Sequence, residues 1–261
     1  MHLANKVVIL TGASQGIGKA ATAKFIEAGC RVVLVARSEE RLAQIAERLG
    51  HSHTLIFPAD VSQPETGARI VQETIRHFGQ VDILVNNAAI GVYGPSATVS
   101  LSNIYTVMQV NFFGPLHLIQ ACVPTMQTQG RGLIINVSSI TGRRSVPFTG
   151  AYCASKAALE HLADSLRLEL KPYNIRVSTL YPGVTQTNFV SNALGAPQKR
   201  SGRISGVSAE KVAAKLIQTA RKEPRDAYVT LFDRAFVTGS RLFPHMFDHL
   251  LRYYFKMQNK L

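Results

Sequence analysis

Tyr152 and Lys156 stand four residues apart in the stretch Phe148-Thr-Gly-Ala-Tyr-Cys-Ala-Ser-Lys. Ala157, Ala158, Leu159, Leu162, Leu166 and Leu170 follow at helical spacing. On a helix, a Tyr and a Lys so placed share one face, their Cβ atoms about 5–6 Å apart. A phenol titrates near about 10, too high for proton exchange at neutral pH. A neighbouring ammonium favours phenolate and is expected to lower that value. Such a pair is suited to passing a proton to or from a substrate oxygen. The same spacing also occurs in helices whose lysine is simply solvated, so its meaning depends on the rest of the chain.

A second chemical signature lies near the N-terminus, in Thr11-Gly12-Ala-Ser14-Gln15-Gly16-Ile17-Gly18. Glycines let a backbone approach a pyrophosphate closely, and a helix N-terminus favours its charge. The spacing is Gly-x-x-x-Gly-x-Gly rather than the common Gly-x-Gly-x-x-Gly. NAD-binding proteins of this general type carry an acid at the end of the second strand, for the ribose 2′-hydroxyl. Here Ala36 and Arg37 stand there. A guanidinium can clamp a 2′-phosphate, so NADP(H) is expected in preference to NAD(H). Gln15 occupies the glycine loop where a second basic residue would help.

The elements that must position these residues alternate. Apolar, strand-like runs occupy residues 7–10, 31–36, 54–57, 81–85, 132–137, 176–180 and 227–230. Helical patterns lie between them, over 16–28, behind Ser38 to Leu49, from Ser62 or Gln63 to Phe78, over 101–126, around Tyr152, and over 208–221. This alternation predicts βαβ units and a parallel sheet covered on both faces. Right-handed crossovers then give a single-domain, doubly wound α/β fold of the Rossmann type, with about seven strands.

The chain has 261 residues, 46% of them hydrophobic, enough for one large core. It contains no apolar run of about 18 residues, and with a strand expected from residue 7 no signal peptide is expected. Cys30, Cys122 and Cys153 form neither a disulfide framework nor a metal-ligand pattern. A reducing cytoplasm is expected. The net charge is +13, of which +8 falls from Val190 onward. No nucleic-acid-binding motif accompanies that charge.

Together, the Thr-Gly-x-x-x-Gly-x-Gly turn, Asn86-Asn87-Ala88 and Tyr152-x-x-x-Lys156 resemble the short-chain dehydrogenase/reductase family over about residues 5–190. The resemblance implies a catalytic set of Asn111, Ser139, Tyr152 and Lys156. Ser139 stands 13 residues before Tyr152, with Ser138 the alternative if the register slips. It also implies cofactor contacts from Gly12, Ser14, Gln15, Gly16, Ile17 and Gly18. Arg37, Asp60, Val61, Asn87, Ala88, Pro182, Gly183, Thr185 and Thr187 would add to these. Ala89 replaces the usual glycine. Taken singly, Asn111, Ser139 and Thr187 also read as a helix-interior Asn, a turn residue and an N-cap.

The implied reaction moves a hydride between a nicotinamide and a carbonyl or carbinol carbon. Ser139 would fix the carbonyl, Tyr152 give the proton, Lys156 acidify the phenol and hold the ribose, and Asn111 anchor a relaying water. The substrate is expected to be lipophilic, with a 3-oxoacyl thioester as alternative. Outside enzymes, the alternative is a regulatory protein that senses NADP(H) without turnover. Residues 188–207 are expected to form a substrate segment that moves until substrate binds. Phe189, Val190 and Leu194, with Val92, Tyr93 and Pro95, are candidates for its walls. Arg143, Arg144, Lys199, Arg200 and Arg203 could attract an acidic substrate or be solvated. A homodimer or homotetramer through the fourth and fifth helices is implied by the family alone.

Residues 239–261 read as a basic amphipathic extension, with Phe247, Leu250, Leu251 and Tyr254 as a stripe after Pro244. It could meet a membrane surface, a second subunit or its own domain.

Overall fold

The computed structural model describes residues 1–195 and 206–257, and all structural statements below concern these. Lys199, Arg200 and Arg203 lie outside them, as do parts of the expected substrate and tail segments.

In chain order the elements are β1 (Val7–Thr11), α1 (Gly16–Glu27), β2 (Arg31–Ala36), α2 (Glu39–Leu49), β3 (Thr54–Pro58), α3 (Thr66–Phe78) and β4 (Ile83–Asn86). Then come α4 (Leu101–Met108), α5 (Gly114–Thr128), β5 (Gly132–Val137), the short α6 (Ile140–Arg143), α7 (Gly150–Glu169) and β6 (Ile175–Tyr181). The chain closes with β7 (Thr185–Gln186), β8 (Val207–Ser208), α8 (Ala209–Lys222), β9 (Asp226–Tyr228), α9 (Leu231–Leu242) and α10 (Pro244–Met257).

Seven parallel strands form one sheet in the order β3-β2-β1-β4-β5-β6-β9. Every residue of β1, β4 and β5 is buried, which is why these segments read as unbroken apolar runs. Alternate side chains still part company. Val8 and Leu10 join a core with Phe25 of α1, Leu42 of α2 and Leu216 of α8. Val7 and Ile9 join the opposite core with Ile70 of α3, Leu118 of α5 and Leu166 of α7. The chain winds outward from β1 to β3, then returns to β4 and winds the other way. Between β1 and β4 the strand ends therefore open a crevice.

Several boundaries differ from the sequence expectation for local reasons. The Asp60 carboxylate accepts bonds from Ser62 N (2.9 Å) and Ser62 Oγ (2.7 Å), closing a turn that delays α3 to Thr66. The expected helix over 101–126 is interrupted by a π turn, Gln109–Phe113, in which Gly114 N donates to Gln109 O. β9 stops at Tyr228 because Thr230 instead caps α9, in a capping box with Asp233. That helix was not anticipated. The β7–β8 pair ties Thr185 to Val207 and brackets the segment between them.

Candidate active site

β1 delivers Thr11 to the crevice, where its Oγ1 accepts hydrogen bonds from Asn87 N and Ala88 N, both 3.0 Å. The Asn87 amide donates to Thr11 O (2.8 Å) and Gly12 O (3.3 Å), pinning the turn from the β4 side. Gly12 and Gly16 have φ of +67° and +53°, where a side chain is strained. A Cβ on Gly18 would stand 2.0 Å from Gly12 O. The α1 cap residue Gln15 makes no side-chain bond, which leaves the first N–H groups of the helix to a ligand or water. Gly12, Ser14, Gln15, Gly16 and Ile17 line one cavity of about 1500 Å³, while Gly18 is buried behind them.

Arg37, Asp60, Val61 and Ala88 line the same cavity. So does Arg41, which the sequence reading did not select. Its signal was present: Ser38 caps α2 by accepting from Arg41 N, so Arg41 sits in the first helical turn beside the end of β2.

On the other bank, β5 ends at Val137 and hands over to Ser138 and Ser139. Ser139 caps α6, accepting from Thr141 N (3.2 Å) and Thr141 Oγ1 (3.0 Å), and its hydroxyl donates to Pro182 O (3.4 Å) while exerting a downward pull on the pKa of the neighbouring Tyr152 phenol. Lys156 Nζ is buried and donates to Val137 O at 2.9 Å. Tyr152, Lys156 and Ser139 all line the cavity. Asn111 does not. It is fully buried in the π turn, where its amide donates to Ile90 O (2.9 Å) and Ser155 Oγ (3.0 Å) and its carbonyl accepts from Ile90 N (2.9 Å). Ser155 Oγ in turn donates to Tyr152 O at 2.7 Å. Asn111 thus braces both the strand-end loop and the turn of α7 that carries Tyr152.

The charges depart from the sequence expectation. Burial pushes the Tyr152 phenol up rather than down, with the Ser139 hydroxyl as the opposing pull. The reason is enclosure of the ring, while the Lys156 ammonium is directed at the Val137 carbonyl. Burial also lowers Lys156 to about 8, against the attraction of Glu160. Glu160, one turn further along α7, is itself raised to about 7 by burial, against the pull of Arg143 and Ser138. Sequence reading missed Glu160. Its four-residue spacing from Lys156 was the available signal.

Pro182 and Gly183 leave β6 toward the same cavity, with Thr185 and Thr187. Ile140 N donates to Pro182 O (3.1 Å), and Thr185 Oγ1 to Gly183 O (3.1 Å). A Cβ on Gly16 would meet Thr187 Cγ2 at 3.1 Å, so this segment touches the glycine turn.

The outer end of the cavity is apolar. Phe189 packs on Tyr152 with ring centres 5.4 Å apart. Residues 188–194 fold back onto the loop after β4: Leu194 N donates to Gly91 O and Tyr93 N to Leu194 O, both 2.9 Å. Phe232 and Phe236 of α9 and Leu251, Tyr254 and Phe255 of α10 close the far wall. Arg143 is committed to Glu160 (2.6 Å) and Asp226 (3.1 Å), and Arg144 to Asp248. All three cysteines are free and buried, and burial pushes the Cys30 and Cys122 thiols up to about 12.

The short chain dehydrogenase family profile matches residues 6–197. Dehydrogenase/reductase SDR family protein 7-like of Anopheles gambiae is 34% identical over 237 residues, covering 86% of this chain and 75% of its own. Dehydrogenase/reductase SDR family member 7B of mouse is 35% identical over 242 residues, covering 88% and 75%. Among solved structures, a short-chain dehydrogenase from Streptomyces avermitilis superposes with a TM-score of 0.81 at 27% identity, covering 98% of this chain and 97% of that one. A short chain dehydrogenase/reductase from Burkholderia phymatum in complex with NAD gives 0.83 at 24% identity, covering 91% and 93%, a likeness of fold. A phenol, a serine hydroxyl and a buried lysine on the wall of one glycine-lined groove agree with these matches: the chain belongs to the short chain dehydrogenase family and is an oxidoreductase of CH–OH and C=O groups.

Proposed function

We propose that the protein is an NADP(H)-dependent oxidoreductase of a lipophilic ketone or secondary alcohol. One observation carries this reading: Ser139, Tyr152 and Lys156 lie together on the wall of the same cavity that the glycine turn lines.

The residues present fit a dinucleotide. A Cβ at Gly12 would come within 2.9 Å of Ala88 Cα, so only glycine lets the turn pack against the end of β4, and Gly12, Ser14, Gln15 and Gly16 line the groove at the N-terminus of α1, where a pyrophosphate is favoured. Arg37 and Arg41 supply the guanidiniums for a 2′-phosphate, and no carboxylate stands at the end of β2. Both cofactors occur among the fold relatives: NAD in the Burkholderia phymatum protein, NADP in one from Burkholderia cenocepacia. The preference therefore rests on these two arginines. Bound in this groove, the nicotinamide supplies or accepts the hydride.

The protein's part is orientation and proton traffic. Ser139 donates to the substrate oxygen and fixes it against Tyr152. The Tyr152 phenol, held protonated by burial, gives its proton to that oxygen as negative charge develops. Lys156, still charged near neutral pH, keeps a positive potential beneath the phenol and favours its deprotonated product. Asn111 holds Ile90 and Ser155 in place behind the pair. Phe189, packed on the Tyr152 ring, shields the phenol on that side.

That wall favours an apolar substrate. A 3-oxoacyl thioester is the second reading, supported by the likeness (TM-score 0.75, 28% identity) to a 3-ketoacyl-(acyl-carrier-protein) reductase from Brucella melitensis. Against it, Arg143 and Arg144 are held in ion pairs within the chain. A sensor without turnover has no use for an assembled Ser139–Tyr152–Lys156 set. We also assign self-association to α4 and α5, with Leu101 and Tyr105 exposed on α4 and Phe113 exposed on the π turn between the two.

Following NADPH and NADH absorbance against steroid ketones, simple aldehydes and ketoacyl thioesters tests the reading. Faster NADPH oxidation with lipophilic ketones is expected. Turnover confined to thioesters, or none with any carbonyl, would overturn it.

A further inference from the structure

The inner face of α10 is fully employed. Phe247 packs edge-on against Phe236 of α9 (5.6 Å between ring centres), and the buried Phe255 against Phe148 (5.9 Å). The outer face is not. Met246, Leu250, Tyr253, Tyr254 and Met257 recur at helical spacing and are 51–69% exposed. Single exposed apolar residues are ordinary, but a continuous stripe of five is an interaction surface. Leu242 and Phe243 prolong it around the corner into α9.

The cations beside this stripe are Arg252 and Lys256. His245, His249, Arg252 and Lys256 each immediately precede a stripe residue and run parallel to it. Asp248, the acid of α10, is occupied by Arg144. Two residues also connect the stripe to the cavity. Phe232 and Tyr254 are both exposed and both cavity-lining, so the mouth opens at the edge of the patch.

We infer that the α9–α10 face seats the protein on an anionic phospholipid surface. Apolar and tyrosine side chains flanked by cations suit the boundary between headgroups and acyl chains. A second copy of this chain fits less well, because an antiparallel isologous contact would set the flank carrying Arg252 and Lys256 against the same flank of the other copy. The helix lies on the surface rather than through it: no helix among the described residues is long and apolar enough to cross a membrane. So placed, the mouth receives a lipophilic substrate directly from the leaflet. That consequence rests on the proposed substrate class; the docking does not.

The test is sedimentation of the full chain with phosphatidylcholine vesicles, with and without phosphatidylglycerol, at low salt. Binding to the anionic vesicles is expected, weakening as salt rises. L250S/Y253S and R252E/K256E should each cut the bound fraction by about tenfold or more. K211E/K222E, an equal charge change on α8, should bind like the parent. Circular dichroism and NADPH fluorescence establish that each variant is folded. Failure to pellet at low salt would overturn the inference, as would equal loss in K211E/K222E, which would reduce binding to bulk charge. Conversion of a lipid-free dimer to monomer by L250S/Y253S would also overturn it, assigning the face to a second copy. None of these readouts involves turnover, so failure here leaves the reductase reading standing.

Discussion

The Ser138 hydroxyl donates a hydrogen bond to Glu160 Oε1 at 3.2 Å, one turn of α7 beyond Lys156. The adjacent Ser139 instead donates to Pro182 O and pulls the pKa of the Tyr152 phenol down against burial. Two neighbouring serines thus face two chemistries, one toward the cavity and one toward a buried ion pair with Arg143.

Glu160 should make stability depend on pH. Its folded-state value, about 7, lies above the ordinary 4.5, so the folded protein binds more protons between those limits. Stability is then highest below the lower value and falls as pH rises through the upper one. Urea midpoints measured from pH of about 4.5 to 7.5 should show this decline, and Glu160→Gln should flatten it. An unchanged slope in the variant would assign the titration elsewhere.

Tyr152→Phe removes the transferable proton while keeping the ring against Phe189. A loss in kcat of about a thousandfold or more is expected, with NADPH affinity, read by fluorescence, changed less than about twofold. Ser139→Ala should cost about a hundredfold through lost positioning. Full turnover in Tyr152→Phe would end the assignment of the phenol as proton donor.

Arg37→Ala and Arg41→Ala should each raise KM for NADPH by about tenfold, as befits loss of a charge-assisted bond. KM for NADH should move less than about twofold. Equal effects on both cofactors would mean that neither guanidinium reads a 2′-phosphate.

Gly18→Ala places a methyl 2.0 Å from Gly12 O, in a turn that Asn87 already pins. The turn must move, at a cost of about 1–3 kcal/mol, and dinucleotide binding should be lost in calorimetry. Gly130→Ala is the comparison: its φ of +65° also opposes a side chain, but no atom lies within 4 Å. It should lower the melting temperature and leave cofactor affinity intact.

The sheet was legible because both its faces are covered, which turns each central strand into an apolar run that no helix period imitates. Ser38 announced α2 by the same capping chemistry it performs. The glycine turn, Tyr152 and Lys156 were legible because close approach and shared helical faces are local properties. What escaped the reading was tertiary. Arg143 and Arg144 resemble loop charges until Glu160, Asp226 and Asp248, remote in sequence, arrive beside them. The direction of the Tyr152 shift depends on enclosure, which spacing does not report. α9 was hidden because Thr230, a good strand former, serves as its cap.

The π turn at Gln109–Phe113 has an effect beyond its five residues. One surplus residue in a helical winding rotates everything after it by about 100° relative to everything before it. In regular winding Asn111 would share a face with Leu118 and Cys122, seven and eleven residues on; the surplus residue turns Asn111 off that face toward Ile90 and Ser155 while Leu118 and Cys122 stay against the sheet, as though two screws of different phase were cut on a single rod. Regular winding would have forced a choice between a braced carboxamide and a sealed interior; the irregularity lets the chain keep both.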